Sequence, residues 1–193
     1  MNAHVLVPLK GLGRAKSRLA ETLTAAERAA LMLRLLERVV EAIREAGIDR
    51  ITLVTSEPLA HGIAATWHDG DLPWNKALAT AIADVVVEEV VAVISADLPF
   101  LQPGDVTALI EATPGRGVAV GRAFDGGTNA VSMRPPGVLP TRFGEPRSAA
   151  LHAASARARG LECVLLDLPG LAFDVDRPAD LDRMNVYARM ERI

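Results

Sequence analysis

Val90-Val91-Ala92-Val93-Ile94-Ser95-Ala96-Asp97-Leu98-Pro99 is the stretch that decides the fold. Its first five residues are apolar without a break. A strand with one wet face alternates, so an unbroken run predicts a strand covered on both faces, as in a parallel sheet flanked by helices. The run stops at Asp97, and ligands of open α/β sheets lie at the carboxyl ends of strands. A carboxylate there either holds a divalent cation or caps the loop through its own backbone.

Outward from this strand, strand and helix signals alternate along the chain, which predicts an α/β fold with a mostly parallel central sheet and helices on both faces. Upstream, residues 4–8 and 51–55 read as strands. Thr24-Ala25-Ala26-Glu27 has the form of a capping box, and Leu31, Leu35, Val39 and Ile43 keep helical spacing up to Gly47, predicting a helix over 25–46. Trp67 to Trp74 reads as loop, with Asn75 as the side-chain cap of a helix reaching Glu88. Downstream, a helix near 103–112, strands near 118–121, 129–133 and 162–167, a helix near 147–159 and a last helix from Pro178 complete the pattern. No repeat or long linker interrupts it, so residues 1–193 read as a single domain.

Composition narrows the function. Half of the residues are hydrophobic but only 4% are aromatic, so the core is aliphatic. The net charge of -3 and the pI near 5.8 argue against broad electrostatic binding to nucleic acid or to an anionic membrane. Any anion site is therefore local. Cys163 is the one cysteine and sits in an apolar run, which excludes an intramolecular disulfide. With no basic-then-apolar leader and no apolar run of about 18 residues, the chain reads as soluble and cytoplasmic.

The local anion site is the opening, Val5-Leu6-Val7-Pro8-Leu9-Lys10-Gly11-Leu12-Gly13-Arg14-Ala15-Lys16-Ser17-Arg18-Leu19. A strand ends at Pro8 in a loop holding Lys10, Arg14, Lys16 and Arg18. It follows neither the P-loop nor the dinucleotide fingerprint, so side-chain cations carry the work. Arginine offers paired donors, lysine a compact charge, and Gly11 and Gly13 allow close approach of backbone amides. The other reading is a solvated basic turn.

Near the far end, Asp174 and Asp176 are two apart in what reads as an extended strand, and so face one side. Two such carboxylates repel unless a cation stands beside them, and Mg²⁺ is bound by one or two carboxylates plus substrate phosphates. Asp176 also precedes a helix with Pro178 in its first turn. Gly126-Gly127-Thr128-Asn129 is either a hairpin turn or a set of amides and a hydroxyl facing an anion. Gly144-Glu145-Pro146-Arg147-Ser148 opens a helix whose free amides favour anions. His152 shares a helical face with Ser148 as a supporting group. His4, His61 and His68 make no zinc pattern.

In order, the segments V-P-L-K-G-L-G-R-A-K-S-R-L, S-A-D-L-P-F-L, G-G-T-N-A, F-G...S-x-x-x-H and F-D-V-D-R-P-x-D-L resemble the phospholactate or phosphoenolpyruvate guanylyltransferases of coenzyme F420 biosynthesis, over residues 5 to 181. The resemblance implies a Rossmann-like, GT-A-like nucleotidyltransferase core. It implies GMP transfer from GTP to 2-phospho-L-lactate, phosphoenolpyruvate or 3-phosphoglycerate, with pyrophosphate released. It puts Mg²⁺ on Asp97, Asp174 and Asp176, with Lys16, Arg18 and Asp97 as the catalytic group. Nucleotide contacts fall on Pro8, Lys10, Gly11, Arg14, Lys16, Arg18 and Asn75, and acid contacts on Thr128, Asn129, Gly144 and Ser148. A homodimer is expected, with neither nucleic acid nor membrane as partner. The rival readings are a sibling nucleotidyltransferase acting on molybdopterin or a sugar phosphate, and a nucleotide-binding protein without catalysis.

Overall fold

The structure is a computed structural model that describes residues 2–9, 11–12, 16–58, 62–70, 72–86 and 89–190, with only the backbone for 186–190. Seven strands form one sheet in the order β3-β2-β1-β4-β6-β5-β7. They are β1 (Ala3–Pro8), β2 (Arg50–Val54), β3 (Ala65–Trp67), β4 (Val90–Ile94), β5 (Gly117–Arg122), β6 (Thr128–Arg134) and β7 (Glu162–Leu166). β6 pairs antiparallel with both neighbours, β4 and β5, and the remaining pairs are parallel. The helices are α1 (Ala25–Glu45), α2 (Trp74–Ala83), α3 (Pro103–Glu111), α4 (Ser148–Ala158), the short α5 (Pro169–Ala172) and α6 (Pro178–Met190). A 3-10 turn, Ser17–Leu19, follows the first loop.

Alternating strand residues feed two apolar layers, as the period of two requires. Val5 and Val7 of β1, with Val90, Ala92 and Ile94 of β4, meet α1 and α3. Leu6, Val91 and Val93 face the other way, onto α2 and α4. Every residue of β4 is buried, as its unbroken apolar run predicts. α1 starts where expected: Thr24 Oγ1 accepts from Glu27 N, and Glu27 Oε2 accepts from Thr24 N at 2.8 Å. Leu36 on this helix is wholly buried, so Leu36→Ala costs about 2–5 kcal/mol.

Three expectations need correction. The 67–74 segment contains a strand end, because β3 lies at the sheet edge beside β2. α2 begins at Trp74 with Pro73 before it and ends at Ala83, so Asn75 is inside the helix and does not cap it. Asp174 and Asp176 lie in an extended connection and not in a strand.

Candidate active site

β1 is flanked by β2 on one side and β4 on the other, so the chain leaves its carboxyl end and that of β4 in a crevice where the strand order reverses. Three segments meet there. The 16–19 turn follows β1, Asp97 follows β4, and the 173–177 connection is held alongside by Val175 N donating to Asp97 O at 3.3 Å. A fourth comes from β6. Because that strand runs backwards, its first residues lie at the same edge, with Ser95 N donating to Asn129 O at 2.8 Å.

Carboxylate oxygens of Asp97, Asp174 and Asp176 lie within 4.8 Å of one another. The Lys16 ammonium is paired with Asp97 and donates to Asp176 Oδ1 at 2.7 Å, and its side chain is only 6% exposed. Arg18 Nη1 reaches Asp176 Oδ2 at 3.2 Å from solvent. Asn129 Nδ2 donates to Leu171 O at 2.9 Å and to Asp174 Oδ1 at 3.3 Å.

The charges here are out of balance. Burial, and then the neighbouring Asp97 charge, push the Asp174 carboxyl up to about 6. Burial alone would do the same to Asp176, but Lys16 and Arg18 outweigh it and hold that carboxyl below its usual range. Burial works against the Lys16 ammonium, yet Asp97 and Asp176 keep its pKa above the ordinary value. Three half-buried acids share one buried cation, and the third is left wanting a charge. Hard oxygen donors in that state fit a small divalent cation.

The rest of the predicted set is partly brought in. Pro8 is buried at the end of β1, and Gly11 is exposed beside Glu57, whose Oε1 accepts from Leu12 N at 2.6 Å. That amide is therefore already engaged by a carboxylate. Lys10, Gly13 and Arg14 lie outside the described residues. Thr128, Ser148 and His152 form a buried cluster: Ser148 Oγ donates to Thr128 Oγ1 at 3.0 Å, and His152 Nδ1 is 3.1 Å from the same oxygen. Gly144 has φ +78° and is open to solvent. Asn75 is the surprise: its carboxamide both donates to Phe143 O at 3.1 Å and accepts from Phe143 N at 2.9 Å, tying α2 to the loop before α4. Nothing local in the sequence pairs positions 68 apart.

Among the described residues, Lys16 (φ +52°) and Arg147 (φ +56°) are the non-glycine positions in the left-handed region. Each costs of order 1 kcal/mol and each precedes a helical turn of this site, at Ser17 and Ser148. A groove of about 420 Å³ lies off the hairpin that leads to Thr128, lined by Phe124, Gly126, Leu168 and Ala172 and by the paired side chains of Arg122 and Asp167. Neither of those two charged residues was singled out from sequence, where they carry no motif.

Residues 3–190 match the family described as "Guanylyl transferase CofC like". The chain belongs to that family. Curated relatives of this guanylyl transferase include the phosphoenolpyruvate guanylyltransferases of Rubrobacter xylanophilus, 38% identical over 95% of this chain and 94% of that one, and of Sphaerobacter thermophilus, 37% identical over 97% and 95%. Among solved structures it is similar to a nucleotidyl transferase from Methanothermobacter, with a TM-score of 0.68, 17% identity and coverage of 97% of this chain and 98% of that one. It is also similar to 2-C-methyl-D-erythritol 4-phosphate cytidylyltransferase from Thermus thermophilus, with a TM-score of 0.58, 20% identity and coverage of 98% and 100%. The guanylyl transferase is thus an enzyme of the nucleotidyltransferase class with the nucleotidyltransferase fold. Among its described residues no helix is long and apolar enough to cross a membrane.

Proposed function

We propose that the protein transfers GMP from GTP to a small three-carbon phospho-acid, phosphoenolpyruvate foremost, with release of pyrophosphate, as a step of coenzyme F420 biosynthesis. The observation that carries this is the convergence of Asp97, Asp174, Asp176 and Lys16 in the crevice beyond β1 and β4. The names of the curated relatives support phosphoenolpyruvate over 2-phospho-L-lactate and 3-phosphoglycerate.

The acid's phosphate attacks the α-phosphorus in line. One P–O bond forms, the bond to the β-phosphate oxygen breaks, and pyrophosphate leaves with the electron pair. A phosphate monoester has its second pKa near 6, so the nucleophile is largely dianionic at neutral pH and no general base is needed. The enzyme's work is positioning and electrostatics. Asp97, Asp174 and Asp176 would hold Mg²⁺, which when bound neutralises phosphate charge and favours attack at phosphorus. Lys16 and Arg18 draw charge toward the departing pyrophosphate, with Lys10 and Arg14 as further phosphate contacts. Asn129 holds Asp174 in orientation through its carboxamide. Thr128 and Gly144 receive the acid, and Ser148 acts on it through Thr128, to whose hydroxyl oxygen it donates. Asn75 acts through the Phe143 loop it holds, which leads to Gly144 and Ser148 on the acid side.

The test is mass spectrometry of the products from GTP, Mg²⁺ and each of the three phospho-acids, with pyrophosphate followed in parallel. A guanylylated phosphoenolpyruvate is expected. Product with none of the acids, or only with another nucleotide, overturns the reading in favour of a sibling transferase.

A further inference from the structure

His152 lies on α4 with no solvent exposure, and each of its ring nitrogens has a partner. Nε2 stands 3.0 Å from Arg142 N. A backbone N–H can only donate, so Nε2 accepts and carries no proton. The proton of the neutral ring is therefore on Nδ1, which faces Thr128 Oγ1 at 3.1 Å. Ser148 Oγ donates to that same oxygen at 3.0 Å. Thr128 Oγ1 thus receives two hydrogen bonds, and its own proton has no acceptor among the described residues. Thr128 is 7% exposed, so the residue is buried but keeps a small opening to solvent. A buried donor without an acceptor is costly unless something arrives to accept from it.

We propose that His152 is a positioning residue for the acid substrate: its Nδ1–H locks the Thr128 hydroxyl as a donor aimed at an anionic oxygen of the phosphorylated acid. This rests on the reading that Thr128 faces the acid. A freely rotating hydroxyl could present a lone pair to the incoming anion and repel it. With both acceptor directions filled by His152 and Ser148, only the proton remains to be offered. Burial, foremost, keeps the ring neutral by pulling its pKa down to about 4, with Arg142 adding to this and the Ser148 backbone and Glu145 opposing it. Neutrality preserves the single tautomer, and with it the direction of the hydroxyl.

The experiment is a cycle of His152→Ala, Thr128→Val and the double variant, together with His152→Asn, whose side-chain amide N–H can stand in for Nδ1–H. Initial rates are taken with the phospho-acid varied at saturating GTP and with GTP varied at saturating acid. His152→Ala is expected to raise the acid KM on the order of tenfold to a hundredfold, the range of one hydrogen bond to a charged group, with the GTP KM and saturated kcat little changed. His152→Asn should recover most of that loss. In the Thr128→Val background, removing His152 should cost nearly nothing further. Additive losses, an equal rise in the GTP KM, or a fall in kcat as deep as that of Asp97→Asn overturn the proposal. If His152→Ala fails to fold, long-range ¹⁵N–¹H spectra of the unaltered protein decide, since a ring protonated on Nε2 or doubly protonated at neutral pH also overturns it. Turnover of an acid with an additive cycle sinks only the His152 proposal, whereas turnover of no acid sinks the function on which it rests.

Discussion

Lys16 Nζ donates to Asp176 Oδ1 at 2.7 Å across 160 positions of sequence, joining the first loop of the chain to the connection before its last helix. The ammonium also pairs with Asp97, so one buried cation holds two of the three carboxylates together. Its left-handed backbone fits this task, because φ +52° is tolerated only where surrounding contacts enforce it.

Lys16→Met should lower turnover by ~10²–10³, the range for losing one preorganised charge at a developing anion. In metal-free protein it should also destabilise the fold by about 1–3 kcal/mol, a figure discounted for the partial exposure of Asp176. Thermal melts in chelator and in Mg²⁺ check this. Equal loss in both buffers would mean that the lysine does not share its carboxylates with a cation.

Asp174→Asn should stabilise metal-free protein at neutral pH. The folded-state pKa of Asp174, about 6, lies above the ordinary aspartate value, so the folded state binds this proton more tightly than the unfolded chain. Its contribution favours folding at low pH and is lost as pH rises through about 6. The variant should gain on the order of 1–2 kcal/mol near pH 8 and nothing near pH 4 in urea titrations. A constant difference across pH would show that the carboxyl is not held protonated.

His152 has the opposite slope. Its folded pKa of about 4 lies below the ordinary value, so its contribution is full above about pH 6.5 and is lost as pH falls toward 4. At most about 3 kcal/mol depends on it, and His152→Gln should flatten the acid limb of stability against pH. Between these limits the His152 and Asp174 slopes oppose each other, so the unaltered protein should vary less there than Asp174→Asn does. Denaturant midpoints at several pH values distinguish the two.

Asn75→Ala leaves Phe143 N–H and C=O without their partner, a loss of about 1–3 kcal/mol in equilibrium unfolding. The acid KM should rise more than the GTP KM, because the loop it holds leads through Gly144 to Ser148. A selective loss of guanine preference would instead place this carboxamide at the base.

Much of this architecture is legible in sequence because its signals are local. β4 announces itself by five consecutive apolar residues, and α1 by a capping box and helical spacing. β3 has three residues and α5 four, too few for a period to emerge. The reversal of β6 is hidden for another reason: strand direction is set by pairing partners, not by the strand's own residues. The acids and Lys16 are recognisable by type and order, but their meeting depends on three separate segments, those that follow β1, β4 and α5. Asn75 deceives, since an asparagine just after Leu72-Pro73 has the look of a cap, and its true partner Phe143 is remote in sequence.

The distance in sequence between Lys16 and Asp176 also has a consequence for biosynthesis. A chain emerging from the ribosome completes all seven strands by Leu166, yet it has one acid of the three until Asp174 and Asp176 follow. Until then Lys16 meets Asp97 alone. The sheet can therefore assemble on a nascent chain before the acidic cluster is complete, and in the proposed reaction competence waits for Asp174 and Asp176.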